Sequence, residues 1–196
     1  MIYKIITSMF FICIAVYPQT SDTLYSLTIE AGAGYSHYIT TLDYNNLNRN
    51  GFSGMVRIMW HPEHLLSLGI ETGYNYLYSL KSSVIIPEFG TSEVKASMVS
   101  VPVLGIFAMK IFPQSLPNFE LKFSSGIFIL NNNGNAFGEE ISSSQLSIGY
   151  MSAVTYLHPL NEKLSIGGEL KYSYISKIQD SNFSAQVIFS YRFLSY

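Results

Sequence analysis

The sequence predicts an all-β fold: an eight-stranded antiparallel up-and-down transmembrane β-barrel, preceded by a signal peptide. Three observations carry this. The 196-residue chain is 48% hydrophobic with a mean hydropathy of +0.22, yet past its first segment no stretch nears the roughly 18 consecutive apolar residues of a spanning helix. Charged residues make up only 12% of the chain and aromatics 15%, where soluble domains carry about 25% charge. Apolar and polar residues also alternate with a period of two through eight separate runs, so each run has one greasy face and one polar face.

Residues 1–21 read as a signal peptide and residues 22–196 as one barrel domain. Lys4 supplies a positive start, and Ile5 to Val16 form an apolar core of the expected length. Cleavage is expected near residues 17–22, without a clean small-x-small site. The single cysteine, Cys13, lies inside this core. Ile12 stands where a lipoprotein needs a small residue, so lipidation is not expected. The mature chain then has no thiol and no disulfide.

The first alternating run spans residues 24–38. Tyr25, Leu27, Ile29, Ala31, Ala33 and Tyr35 share one face, and Ser26, Thr28, Glu30, Gly32, Gly34 and Ser36 the other. A polar, Asn-rich segment leads to the second run, residues 51–60, where Phe52, Val56, Ile58 and Trp60 oppose Ser53 and Arg57. The tight turn His61-Pro62-Glu63-His64 precedes the third run, residues 65–78. There Leu66, Leu68, Ile70, Tyr74, Tyr76 and Tyr78 oppose Ser67, Gly69, Glu71, Gly73 and Asn75.

The fourth run, residues 93–111, alternates poorly and holds Pro102, which cannot donate to a ladder; an irregularity is expected there. The fifth sets Phe119, Leu121, Phe123, Ile127 and Ile129 against Glu120, Lys122, Ser124 and Gly126. The sixth covers residues 145–157. In the seventh, Leu164, Ile166, Leu170, Tyr172 and Tyr174 oppose Lys163, Ser165, Gly167, Glu169, Lys171 and Ser173. The eighth, residues 183–193, carries Phe183, Val187, Phe189, Tyr191 and Phe193 on one face. Phe189, Tyr191, Phe193 and the terminal Tyr196 form the expected closing, assembly-directing strand.

Connections alternate in length. Those at residues 40–50, 79–91 and 131–140 are long and polar, whereas the second-third, fourth-fifth and sixth-seventh connections are tight and contain proline. This asymmetry places the long loops on one rim, outside the cell, and both termini on the periplasmic side. A soluble barrel shares the period of two but turns its apolar face inward. Here the polar face is mostly Gly, Ser and Thr, which suits a cramped interior. The aromatics also sort into two belts: Tyr25, Trp60, Phe119, Tyr156 and Phe193 by the tight turns, and Tyr35, Phe52, Tyr74, Tyr76, Tyr78, Tyr172, Tyr174 and Phe183 by the long loops.

The chain resembles the small outer-membrane β-barrel proteins of the OmpA/OmpX-like superfamily, in particular the barrel domain common in Bacteroidota. The signal segment carries the resemblance, with the strand Leu65-Leu66-Ser67-Leu68-Gly69-Ile70-Glu71-Thr72-Gly73-Tyr74, the proline-containing Ser100-Val101-Pro102-Val103-Leu104 and the terminus Ser190-Tyr191-Arg192-Phe193. It covers the mature chain, and departs from the usual pattern in ending on Tyr196, three residues after Phe193. It implies a Gram-negative outer-membrane location, contact with membrane lipids and lipopolysaccharide, and insertion by the outer-membrane assembly machinery. No appended peptidoglycan-binding domain is expected.

Chemistry is sparse. Of the four histidines, His61, His64 and His158 sit in tight turns beside prolines, and only His37 lies near the long-loop rim, with Ser36 and Asp43 nearby. That grouping reads as loop polarity, and no catalytic, cofactor or metal site is expected. Net charge is −2, which offers nothing to nucleic acid. The inward charges Glu30, Arg57, Glu71, Glu120, Lys122, Glu169, Lys171 and Arg192 are expected to share the lumen and pair there. The expected function is a structural or surface-interaction barrel with its lumen plugged by side chains and an unknown surface partner. The alternatives are a small channel or assembly and secretion factor, and last a lipid A-modifying enzyme.

Overall fold

The computed structural model describes residues 25–41, 46–86, 90–136 and 139–195. The expected signal peptide, Cys13, Asp43 and Tyr196 lie outside the described residues. Eight barrel strands follow one another in sequence: β1 Ser26–Ile39, β2 Asn50–His61, β3 Leu66–Ile86, β4 Gly90–Met109, β5 Phe119–Ala136, β6 Glu139–Pro159, β7 Leu164–Ile175 and β8 Asp180–Ser195. Each pairs antiparallel with the next. β8 also pairs with β1, from Ser26 opposite Ser195 to Ile39 opposite Ser181, so the sheet closes on itself. Within the barrel wall, closure leaves no open strand edge among the described residues, the condition for placing backbone polar groups in hydrocarbon.

The alternation read from the sequence sets the two faces. Ile29, Ile58, Ile70, Phe123, Leu170 and Phe189 are exposed on the outer wall, while their neighbours Glu30, Arg57, Glu71, Lys122, Glu169 and Ser190 are buried. A soluble barrel would show the reverse. Where strands coil tightly, inward glycine permits close approach: a Cβ on Gly167 would sit 1.7 Å from the Tyr156 carbonyl oxygen. Trp60, Phe119 and Phe193 are exposed by the tight-turn rim, and Phe119 packs on Tyr156 with ring centres 4.9 Å apart. Tyr35, Phe52, Tyr74, Tyr172 and Phe183 form the exposed belt toward the other rim.

Three expectations about elements are refined. The irregularity expected at Pro102 is present: β3 pairs with β4 at Thr72–Val103 and again at Asn75–Ser100, the gap lying opposite Pro102, and the register then shifts between Tyr76 and Tyr78. Secondly, that shift accommodates Leu77 as an extra residue, and Tyr78 comes to pair with buried Met98. Tyr78 therefore turns inward and stacks on Tyr38 at 5.7 Å, instead of joining the outer aromatic belt.

Thirdly, the segments 79–91 and 131–140, expected as loops, are largely strand. The β3–β4 ladder runs on to Ile86 opposite Gly90, and the β5–β6 ladder to Ala136 opposite Glu139. Their polar residues end the apolar alternation without ending the backbone pairing, because above a membrane both faces of a hairpin meet water. The segment after β1 is anchored too, with Leu47 and Asn48 paired to Leu80 and Ser79.

The outer face makes a depth-dependent prediction. Phe189, 53% exposed and central on β8, faces the bilayer's middle, whereas exposed Ser142 lies on the β6 extension beyond the aromatic belt. Phe189→Arg is expected to cost about 2–4 kcal/mol, and Ser142→Arg about 0–1 kcal/mol, in unfolding from lipid vesicles. Equal costs would contradict the face and depth assignment.

Candidate functional site

The most elaborate group of side chains fills the middle of the lumen. Glu30, Arg57 and Glu71 occupy one row across β1, β2 and β3, since Glu30 pairs with Arg57 and Arg57 with Glu71. From the facing wall come Lys122 on β5 and Glu169 and Lys171 on β7. All six are buried to 6% exposure or less, Lys122 completely. Three carboxylates and three cations make the group neutral.

Arg57 is its hub. Its Nε donates to Glu30 Oε2 at 2.5 Å and its Nη1 to Glu71 Oε2 at 3.2 Å. Its Nη2 lies 2.6 Å from Glu169 Oε2, an ionic contact off the line of an N–H bond. Lys171 Nζ donates to Glu71 Oε1 at 2.6 Å and stands 3.3 Å from Glu169 Oε1. Lys122 Nζ donates to Glu30 Oε2 at 3.3 Å and lies 3.8 Å from Glu169 Oε2. Thr155 Oγ1 completes the group by donating to Glu169 Oε2 at 2.7 Å. Buried charges are tolerated only when paired and hydrogen-bonded in this way.

Of the eight charges expected in the lumen, the structure brings these six together. Glu120 joins at the edge, 3.6 Å from Lys122 Nζ. Arg192 lies on the inward face of β8 beyond Ser190, half-buried toward the tight-turn rim, where its backbone N–H donates to the Lys163 carbonyl at 2.7 Å. Phe189, Tyr191 and Phe193 all lie exposed on the outer wall, as a lipid-facing closing strand requires.

Apolar layers enclose the charges, and sequence reasoning missed them. Toward the tight turns, Met59, Ile106 and Ala108 pack together. Toward the hairpins, Tyr38, Leu77, Met98, Leu104, Phe128, Leu130, Met151 and Ile175 form a larger buried cluster. The signal was present in β4, whose weak alternation reflects apolar residues on both faces: Val103 and Phe107 outside, Leu104 and Ile106 inside. Between the charges and the upper layer, Gln186 Nε2 donates to Ser53 Oγ, which donates to Asn75 Oδ1 at 2.6 Å. At the upper mouth, buried Asp180 accepts hydrogen bonds from Tyr38 and from Thr40.

Ser36 and His37 do not form a pair. Ser36 is buried, and its Oγ donates to the Tyr76 carbonyl at 3.1 Å; His37 points the other way, its Nδ1 2.8 Å from Asn50 Oδ1. His61 is held between Thr28 Oγ1 at 3.0 Å and Ser67 Oγ at 2.6 Å, while His64 stands exposed in the turn.

A closed ring of eight antiparallel strands, apolar outside and charged within, decides the architecture. The chain has the fold of a small outer-membrane β-barrel. Neisserial surface protein A matches it with a TM-score of 0.54 and 13% identity, over 86% of this chain and 99% of that one. A major outer membrane protein from Thermus thermophilus matches with a TM-score of 0.52 and 16% identity, over 86% and 99%. Ail, the attachment invasion locus protein of Yersinia pestis, in complex with the heparin analogue sucrose octasulfate, matches at 0.50 and 14%, again over 86% and 99%. No family model matches the sequence, and no curated protein does. The assignment to a Bacteroidota-type barrel rests on the sequence resemblance alone.

The ion cluster of this barrel predicts a strong, non-additive stability effect. Arg57→Ala leaves three buried carboxylates facing two lysines, and is expected to cost about 3–5 kcal/mol in urea unfolding. Adding Glu30→Ala should recover part of the loss, with a coupling of about 0.5–3 kcal/mol. Additive losses would contradict the paired arrangement.

Proposed function

We propose that this outer-membrane barrel is a structural and surface-interaction protein whose lumen is closed and whose working surface is its outer wall and extended hairpins. The observation that carries the reading is the lumen itself. Eight strands enclose little more than their own inward side chains. Here that space holds a neutral ion cluster between two apolar layers. An apolar layer opposes hydrated ions and a paired charge cluster offers no free site, which weighs against a channel. Since Ser36 and His37 face opposite ways, the described residues of the rim lend no support to a lipid A-modifying enzyme.

The two rims of the barrel support a reading of its orientation. Ser26 pairs with Ser195 at the rim of the tight turns, and the long hairpins of β3–β4 and β5–β6 leave the opposite rim. We place the first rim in the periplasm and the hairpins outside the cell, in reach of lipopolysaccharide and of partners. The exposed aromatics Phe189, Tyr191 and Phe193 of β8 are the features by which the outer-membrane assembly machinery would recognise the closing strand.

Two measurements test the reading. The refolded barrel is expected to give no steady porin-scale conductance in planar bilayers, and no swelling of sugar-loaded liposomes; stable large steps would favour the channel. On whole cells, Asn133→Cys should react with an impermeant maleimide and Glu63→Cys should not, and the reverse labelling would invert the orientation.

A further inference from the structure

Outside the lumen, the surface with the most unassigned chemistry is the outer face of the two long hairpins. The register lines up its residues in rows. Val101 and Ile129 pair, and Ile129 pairs with Leu146; with Tyr74 on β3 they make the last apolar row of the lipid-facing wall. The next row reads Tyr76, Val99, Asn131, Ser144, and the one above it Ser79, Ser97, Asn133, Ser142. The third reads Lys81, Lys95, Asn135, Glu140. The wall thus changes from greasy to amide and hydroxyl within one row.

This face is concave, where the outside of a barrel is ordinarily convex. A groove of about 530 Å³ is lined by Tyr74, Tyr76, Ser97, Asn131, Asn133 and Ser144, among others. A second hollow of about 520 Å³ shares Tyr76, Ser97 and Asn133 with it and reaches Lys81, Lys95 and Glu140. The bulge at Leu77 falls at the base of this region, and a bulged strand bends. Among the described residues, no side-chain hydrogen bond within the protein uses Ser97, Asn131, Asn133, Ser142 or Ser144. These donors and acceptors are therefore open to a ligand.

We propose that this groove docks the headgroup sugars of a glycolipid anchored in the surrounding leaflet. Position selects that occupant. The groove begins directly above the apolar row, so it lies at the depth of the leaflet's polar layer, and it faces sideways into that layer, away from the barrel axis. Its chemistry agrees with sugar: uncharged amides and hydroxyls match sugar hydroxyls, and the rings of Tyr74 and Tyr76 offer flat apolar surface to a sugar's C–H face. Lys81 at the upper edge adds cationic character for a headgroup phosphate. Lateral anchoring in the membrane raises the ligand's effective concentration, which lets a shallow, open groove suffice. The inference rests on the reading of the hairpins as the working surface, but its test depends neither on cellular orientation nor on conductance.

The test uses the barrel in phosphatidylcholine nanodiscs with and without rough lipopolysaccharide. With lipopolysaccharide present, the side-chain amide NMR signals of Asn131 and Asn133 are expected to shift, and native mass spectrometry should retain glycolipid on the barrel. Asn131→Ala combined with Asn133→Ala should lower retention by about tenfold, the loss expected from two hydrogen bonds, while Tyr35→Ala on the opposite wall leaves it unchanged. Ser142→Ala with Ser144→Ala provides an independent second variant, with the same direction expected. Unshifted amide signals, or equal loss in Tyr35→Ala, would overturn the proposal. An equal response to the core oligosaccharide freed of its lipid would also overturn it, because the ligand would then come from solution.

Discussion

Strand number is the constraint on which the rest of this structure depends. Eight tilted strands enclose a lumen just wide enough for side chains, so each inward residue must find its partner inside the wall. Six charges therefore meet in one neutral group, with Arg57 bridging three carboxylates drawn from β1, β3 and β7. Above and below that group, Phe128, Leu130 and Met59 fill the same width with apolar volume. With the inside consumed by packing, variation that serves a partner or ligand is left to the outer wall and the hairpins.

The ion cluster also fixes register. Glu30, Arg57 and Glu71 lie opposite one another, and each has a lipid-facing isoleucine beside it: Ile29, Ile58 and Ile70. A slip of one residue along any of these strands would turn a charge into hydrocarbon and an isoleucine into the cluster. A charge at the bilayer midplane costs about 2–4 kcal/mol on a barrel wall. Buried ion pairs are weak as net stabilisers, and here their value lies in penalising the wrong pairing. Closure works in the same sense, since β8 can meet β1 along its full length only when both carry matching faces.

Much of this was legible in the sequence, because a lipid-facing wall demands strict alternation. Runs such as Leu66-Ser67-Leu68-Gly69-Ile70-Glu71 give strand, face and the inward acid together. What escaped reading lies where that demand lapses. In β4 the lumen side is apolar as well, so Leu104 and Val103 look alike although one is buried and the other exposed. At Leu77 one extra residue reverses the parity, which composition does not announce, and Tyr78 moves from belt to lumen. Beyond the belt, Asn131, Asn132 and Asn133 read as loop, yet their backbones continue the ladder against Ser144, Ser143 and Ser142. Polar residues there record the end of the lipid, not the end of the strand.

A lumen closed to water is the central claim, and Ser124 is its sharpest probe. Ser124 is buried on the inward face of β5 beside Lys122, and its hydroxyl has no hydrogen-bond partner, so a thiol can replace it with little disturbance. The measurement is the rate at which a small water-soluble methanethiosulfonate modifies Ser124→Cys in the refolded mature barrel. The closed lumen predicts no modification until the barrel is heat-unfolded, while Asn133→Cys on the hairpin reacts at once. Rapid modification of Ser124→Cys in the folded barrel would show a water-filled path through the centre and contradict a closed lumen.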